Sequence, residues 1–147
     1  MVLVRKIRFE DLDAVTKIEA DIFHQPWKYS DFEDMVDKSD RGYVVIVLDG
    51  RVIGGAAYRN ILGDVEITNV ELEKEYRGNG YSHILIEEVI KEGKNSGGES
   101  FTLEVRKSNL AAIHLYESHG FVTEGVRKGF YDFPKEDALI MWNRNAN

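Results

Sequence analysis

The spacing of apolar residues along the chain changes several times, and each change marks an element. Val2 to Arg8 reads as a first strand, and Leu12, Val15, Ile18 and Ile22 then fall at helical spacing. Gln25-Pro26-Trp27 interrupts that helix. Ser30 with Glu33 three positions on has the form of a capping box, which predicts a second short helix from Asp31 to about Lys38. Two β-branched runs, Tyr43 to Leu48 and Val52 to Tyr58, flank Asp49-Gly50, a strong hairpin signal. Val65 to Leu72 reads as the next strand. From Gly80 the period becomes helical, with Ile84, Leu85, Ile86, Val89 and Ile90 on a helix that ends before Gly97-Gly98. Phe101 to Arg106 is a strand, Asn109 to Ser118 a helix stopped by Gly120, Phe121-Val122 opens a strand, and Ala138 to Trp142 forms the last one. The order β-α-α-β-β-β-α-β-α-β-β mixes a meander with helical crossovers. It predicts one α/β domain over residues 1–147, with a mixed, mostly antiparallel central sheet and flanking helices.

Composition narrows the functional classes. The 147 residues are 43% apolar and 31% charged, enough for a core without metal or disulfide, and the absence of cysteine excludes disulfide scaffolds, zinc ribbons and thiol catalysis. Charge reaches Arg5 and Lys6 too early for a signal peptide, and no run of about 18 apolar residues occurs, so a cytoplasmic protein is expected. Nineteen basic against 26 acidic residues give a net charge of −7, which disfavours nucleic acid and membrane surfaces as direct partners and tolerates basic ones. The four histidines show no ligand spacing, so no metal is expected.

Two segments carry candidate chemistry. Arg77-Gly78-Asn79-Gly80 lies between a strand and a helix, where small residues leave backbone N–H groups free to face an anion. It lacks the third glycine of a dinucleotide fingerprint and the Gly-Lys-Ser/Thr of a Walker loop. On spacing alone, a tight connecting turn explains it equally well. In the second segment, Phe101, Leu103 and Val105 alternate with Thr102, Glu104 and Arg106, which puts Glu104 mid-strand on a polar face. Asn109, Ile113 and Tyr116 share one helical stripe. Taken singly, Glu104 fits a half-solvated strand and Tyr116 a core position.

Together these segments resemble the GNAT superfamily of acyl-CoA-dependent N-acetyltransferases, and within it the branch that acetylates protein N-terminal α-amines, ribosomal-protein alanine N-acetyltransferases included. The resemblance runs through Ile18 to Trp27, Ile67 to Leu72 with Tyr76 to Gly80, Leu103 to Arg106 with Ser108-Asn109, Leu115-Tyr116 with Gly120-Phe121, and Arg127 to Tyr131 with Glu136 to Leu139. It implies acetyl-CoA as co-substrate, with the pyrophosphate of coenzyme A on Arg77, Gly78, Asn79, Gly80, Tyr81 and Ser82. It also implies pantetheine along the backbone of Val70, Glu71 and Leu72, with Asn109 beside it. The family motif carries glycine or alanine where this chain has Ser82, and commonly two tyrosines where it has Phe130-Tyr131.

By the same resemblance Glu104 and Tyr116 stand at the base and acid positions, and Phe23, Pro26, Trp27, Tyr29 and Tyr131 wall the acceptor groove. Packing into a minor core explains Trp27 equally well. A carboxylate is a weak base for an ammonium, so Glu104 is expected to act through water or by orienting the amine. A tyrosine near its ordinary value of about 10 protonates a thiolate at modest uphill cost. An α-amine is roughly a tenth neutral at pH 7 and a lysine amine less than about a thousandth, so weak base assistance suits the α-amine. The expected reaction is direct acetyl transfer to a protein N-terminus in a ternary complex. The alternatives are a small-molecule or lysine acetyltransferase and a non-catalytic acyl-CoA-binding module.

Overall fold

A computed structural model describes residues 1–145. Its elements, in chain order, are β1 (Val2–Lys6), α1 (Leu12–Ile22), α2 (Tyr29–Glu33), β2 (Arg41–Leu48), β3 (Arg51–Ile61), β4 (Asp64–Leu72), α3 (Tyr81–Asn95), β5 (Ser100–Arg106), α4 (Leu110–Ser118), β6 (Val122–Tyr131) and β7 (Glu136–Asn143). This is the order read from the sequence. Short 3-10 turns precede α1 and follow β4. Among the described residues, no helix is long and apolar enough to cross a membrane.

The strands form one seven-stranded sheet in the order β1-β2-β3-β4-β5-β7-β6. Asp49 and Gly50, at φ 48° and 83°, make the tight β2–β3 turn. Leu62 and Gly63, at 53° and 95°, make an equivalent β3–β4 turn not expected from the spacing of residues. Among these neighbouring strands only β4 and β5 run parallel, with α3 as the crossover, and their pairing covers just Asp64–Glu66 against Ser100–Thr102. Beyond that ladder the two strands separate while β5 remains paired to β7 as far as Arg106.

Two cores sandwich the sheet. On one face Leu85, Ile86, Val89 and Ile90 of α3 pack with Phe101, Leu103 and Val105 of β5 and with Tyr116 of α4. On the other, Leu12 and Val15 of α1 and Phe32 of α2 pack on Tyr43, Val45 and Val47 of β2 and Ala57 of β3. Removing each large apolar side chain from water contributes about 1.5–3 kcal/mol. Glu104 therefore projects on the face opposite α3, because its β5 neighbours Leu103 and Val105 fill the α3 core.

The second helix departs from its sequence reading. It spans Tyr29–Glu33, not Asp31 to about Lys38, and its N-cap is Lys28. The carboxylate that closes its first turn is that of Asp31, which accepts the Lys28 backbone N–H at 2.8 Å. The first strand is also shorter than Val2 to Arg8, because the chain turns into a 3-10 helix whose capping N–H, that of Arg8, is taken by Asp11 Oδ2 at 2.8 Å.

Candidate active site

A single extra residue in β4 shapes the centre of the molecule. Ala57 lies opposite Thr68 and Gly55 opposite Glu71, so two steps on β3 match three on β4. Asn69 takes up the bulge at φ 53°, a left-handed conformation that asparagine tolerates. The bulge changes which residues face which core. Val65 and Ile67 face α3 before it, whereas Glu71 after it lies on the α1 side, against Tyr43.

There Glu71 joins a buried polar cluster. The Tyr43 hydroxyl donates to Glu71 Oε1 at 2.6 Å, and the carboxyl groups of Glu71 and Glu19 meet. Glu19 Oε2 accepts the Trp27 backbone N–H at 2.9 Å and the Asn69 side-chain amide at 2.7 Å. Burial first, and the Glu19 carboxylate beside it, push Glu71 up to about 9, against the pull of the Tyr43 hydrogen bond. Burial likewise raises Tyr43 well above the usual tyrosine range. From the sequence Glu71 enters the site through its backbone only, and Glu19, Tyr43 and Asn69 carry no expectation.

The opening between β4 and β5 holds the remaining chemistry. Glu104 Oε2 is buried and has no hydrogen-bond donor among the described residues. Arg127 Nε lies 3.4 Å away, near enough to offset the charge but not aligned as a donor. Tyr116 is 6% exposed. Burial, with Tyr131 nearby, raises Tyr116 far above the usual tyrosine range. The modest uphill cost expected from an ordinary tyrosine is thus an underestimate. Tyr131 is half-buried and raised by burial and by Glu104, and it lies within electrostatic reach of Tyr116 as well.

Two loops wall this neighbourhood. In the turn between α1 and α2, Phe23 caps α1 and Trp27 packs edge-on against Phe32 at 5.3 Å, so Trp27 belongs to the core while its backbone is held by Glu19. Pro26 is exposed, and Tyr29 is 41% exposed with no part in this packing. The β6–β7 loop is held by Arg106, which donates to the carbonyls of Asp132 and Pro134 and lies 4.5 Å over the Tyr131 ring. The walls touch where His24 meets Phe133, ring centroids 3.9 Å apart. Arg106 stood in a sequence motif without a role, and Arg127 likewise.

The loop after β4 forms an open cradle. Gly78 and Gly80 have φ of 83° and 79°, and a Cβ built on either meets nothing within 4 Å. Gly80 caps α3 without any side-chain hydrogen bond, and although the His83 N–H donates to the Gly80 carbonyl at 3.2 Å, those of Tyr81 and Ser82 have no acceptor side chain at the cap. Arg77 Nε donates to the Leu72 carbonyl at 2.9 Å, fixing the loop to β4, and Asn79 Nδ2 donates to the Tyr76 carbonyl at 3.2 Å within the loop itself. Tyr81 and Ser82 begin the helix, and Tyr81 packs with Leu72. These features fit a pyrophosphate. Val70 packs into the α3 core beside the strand opening. Asn109 accepts the Ala112 N–H at 3.2 Å as N-cap of α4. No group of three or more metal-ligating side chains gathers among the described residues, and His83 Nδ1 instead lies 2.9 Å from His119 Nε2.

A mixed sheet split at a parallel pair, with a glycine cradle at the adjoining helix, defines a class. The chain belongs to the acetyltransferase (GNAT) family, whose sequence profile matches residues 12–121. It is 37% identical over 140 residues to a Bacillus subtilis (strain 168) protein provisionally named [ribosomal protein bS18]-alanine N-acetyltransferase, covering 95% of this chain and 93% of that one. The crystal structure of the ribosomal-protein-S18-alanine N-acetyltransferase from Escherichia coli superposes with a TM-score of 0.87 at 28% identity, over 100% of this chain and 96% of that one. Arabidopsis thaliana NAA60 in complex with acetyl-CoA shares the fold, with a TM-score of 0.84 at 23% identity over 97% of each chain.

Proposed function

We propose that this chain transfers the acetyl group of acetyl-CoA to the N-terminal α-amine of a protein, by direct attack within a ternary complex. The names of its relatives make a ribosomal protein the first acceptor to try. The observation that carries the reading is Glu104 Oε2, buried without a donor on the stretch of β5 that has parted from β4. A carboxylate oxygen left in that state has a lone pair ready for an ammonium or for a water that receives its proton.

Acetyl-CoA supplies the thioester carbon that the amine attacks, and the protein's residues handle position and protons. Backbone N–H groups at the cradle hold the pyrophosphate, and those of the Val70 to Leu72 stretch that point away from β3 polarise the thioester carbonyl. Glu104 orients the amine and takes its proton through water as the new C–N bond forms. Tyr116 stays protonated across the working range, because its burial favours the neutral form. It therefore donates a hydrogen bond to the sulfur as the C–S bond breaks. Full proton transfer from it to a thiolate is uphill by more than the ~1.5 units that separate ordinary tyrosine from thiol. Phe23, Trp27 and Tyr131 enclose the acceptor's first residue, with Pro26 and Tyr29 further out. The cytoplasm, where ribosomal proteins are made, is the proposed place of action.

The test is one peptide carrying both a free N-terminus and an internal lysine, incubated with acetyl-CoA and sequenced by fragmentation. Label on the N-terminal residue is expected, with Ala, Ser or Met starts ahead of charged or proline starts. Label chiefly on lysine, or only on polyamines and amino sugars offered in competition, overturns the α-amine assignment. Binding of acetyl-CoA without turnover on any amine would make the chain an acyl-CoA-binding module.

A further inference from the structure

The side chains of Glu19, Tyr43, Asn69 and Glu71 have no part in the chemistry described so far, yet their cluster is built at considerable energetic cost. Glu19 is 1% exposed and Glu71 4%, and both are carboxylic acids. Burying two carboxylates side by side is strongly unfavourable unless their charge is removed or shared. Donors reach only one oxygen of each. Tyr43 serves Glu71 Oε1, while Trp27 N–H and the Asn69 amide both serve Glu19 Oε2. Glu19 Oε1 and Glu71 Oε2 remain buried without a donor. One proton placed between the two carboxyl groups satisfies both orphan oxygens at once and leaves a single negative charge, surrounded by three neutral donors.

The sheet is shaped to allow this. A Cβ on Gly55 would stand 2.2 Å from the Tyr43 ring, and one on Gly54 would stand 2.3 Å from the Glu71 carbonyl oxygen. Both glycines of β3 are therefore needed for Tyr43 and the β4 bulge to close on each other. The groups facing Glu71 are the Tyr43 hydroxyl from β2 and Glu19 from α1, while β3 presents only glycine opposite it. No cation enters the cluster from α2, whose Phe32 covers the Tyr43 ring edge-on at 5.2 Å.

The cluster also ties together the two parts of the molecule that must be in register for transfer. Trp27 lies in the acceptor-side turn, and Asn69 immediately precedes the backbone proposed to hold the thioester. We propose that Glu19 and Glu71 share one proton, and that this bridged pair is a positioning element of acetyl transfer, locking the Trp27 turn to the β4 bulge at Asn69. The inference rests on the acetyltransferase reading above. Removing the proton leaves two adjacent buried charges, which repel, and Glu19 then releases Asn69 and Trp27 together. Glu71 holds its proton up to about pH 9, so the lock is closed at neutral pH and opens in the alkaline range.

Glu71→Gln replaces the carboxylic O–H by an amide donor to Glu19 and keeps an acceptor for Tyr43, but it cannot lose a proton there. Glu71→Ala leaves Glu19 Oε1 and the Tyr43 hydroxyl without partners. With an α-amine peptide as acceptor, wild-type kcat/KM relative to the Gln variant should fall roughly tenfold by one pH unit above the midpoint, as expected for one titrating group. Both kcat and acceptor KM should change. At pH 7.5 the Ala variant should lose at least about tenfold in kcat/KM relative to the Gln variant. Carbon-13 NMR of the glutamate carboxyls should show one group with a midpoint near 9, absent from Glu71→Gln. Titration of Glu71 in the ordinary carboxylate range overturns the shared proton. A Gln variant with the same alkaline loss as wild type, or an Ala variant with unchanged kinetics, overturns the positioning role. If the NMR midpoint is found but no α-amine is acetylated, the acceptor reading fails while the proton-bridged pair stands.

Discussion

The aromatic ring of Tyr43 occupies the space in which a side chain on Gly55 would have to sit. A Cβ there would lie 2.2 Å from Tyr43 Cε1 and 2.5 Å from the Val44 carbonyl oxygen, one flexible neighbour and one fixed. Gly55→Ala should therefore destabilise the protein by about 1–3 kcal/mol, the range for overpacked cores, and displace the Tyr43 hydroxyl from Glu71. Urea unfolding measures the first effect, and the loss of activity at neutral pH should accompany it.

The proton held on Glu71 has a consequence for stability that is separate from catalysis. A carboxyl raised in the folded state binds its proton more tightly there than when unfolded, so its contribution is complete below about pH 4.5. It then declines as pH rises and is gone above about 9. The slope across that window is at most about 1.4 kcal/mol per pH unit. Tm followed from pH 5 to 9 should fall more steeply for wild type than for Glu71→Gln. Parallel curves would show that the proton is not linked to folding.

Tyr116→Phe deletes a hydroxyl and keeps the ring that packs against Phe121 at 6.0 Å. Turnover should drop about 100-fold or more with acetyl-CoA affinity nearly unchanged, measured where chemistry limits the rate. Unchanged turnover would leave Tyr116 a role in packing alone.

Glu104→Gln removes the charge beside Arg127 and preserves shape. Its deficit in kcat/KM should shrink as pH rises from 6 to 9, because more of the amine then arrives neutral. A deficit constant across that range assigns Glu104 to orientation only.

Gly80→Val tests the cradle. Open space surrounds the position, so no clash is introduced, but a β-branched residue at φ 79° costs at least about 1–2 kcal/mol and moves the first turn of α3. The rise in Tm that acetyl-CoA gives wild type by mass action should vanish, while far-ultraviolet circular dichroism stays that of the folded protein.

The elements were legible in the sequence where spacing was regular. The stripe of α1, the Asp49-Gly50 turn and the alternation in β5 each stand as read, and with them the polar face that carries Glu104. Around α2, Lys28 with Asp31 and Ser30 with Glu33 offer two overlapping capping frames. The structure uses the one whose carboxylate reaches a backbone N–H. Glu19 did leave a trace, since it falls at the fourth position after Val15 and the third before Ile22, inside an apolar stripe. The bulge at Asn69 left none. Neither glycine nor proline marks it, and only pairing with β3 reveals that Glu71 has changed sides. Tyr43 was hidden among buried neighbours in a strand with both faces covered, where no alternation remains to single out a polar group.

The three-residue ladder between β4 and β5 makes the sheet two zippered panels joined along a short hem. Each panel is internally continuous, four strands on one side and three on the other, so the hem is where the backbone has least to hold it. An extended ligand laid in that gap acts as a stitch across both panels. Contacts made across the seam add to such a ligand's affinity, and the melting shift follows that affinity by mass action. A ligand that grips only the cradle, leaving the gap untouched, forgoes those contacts and should bind more weakly and raise Tm less at the same concentration.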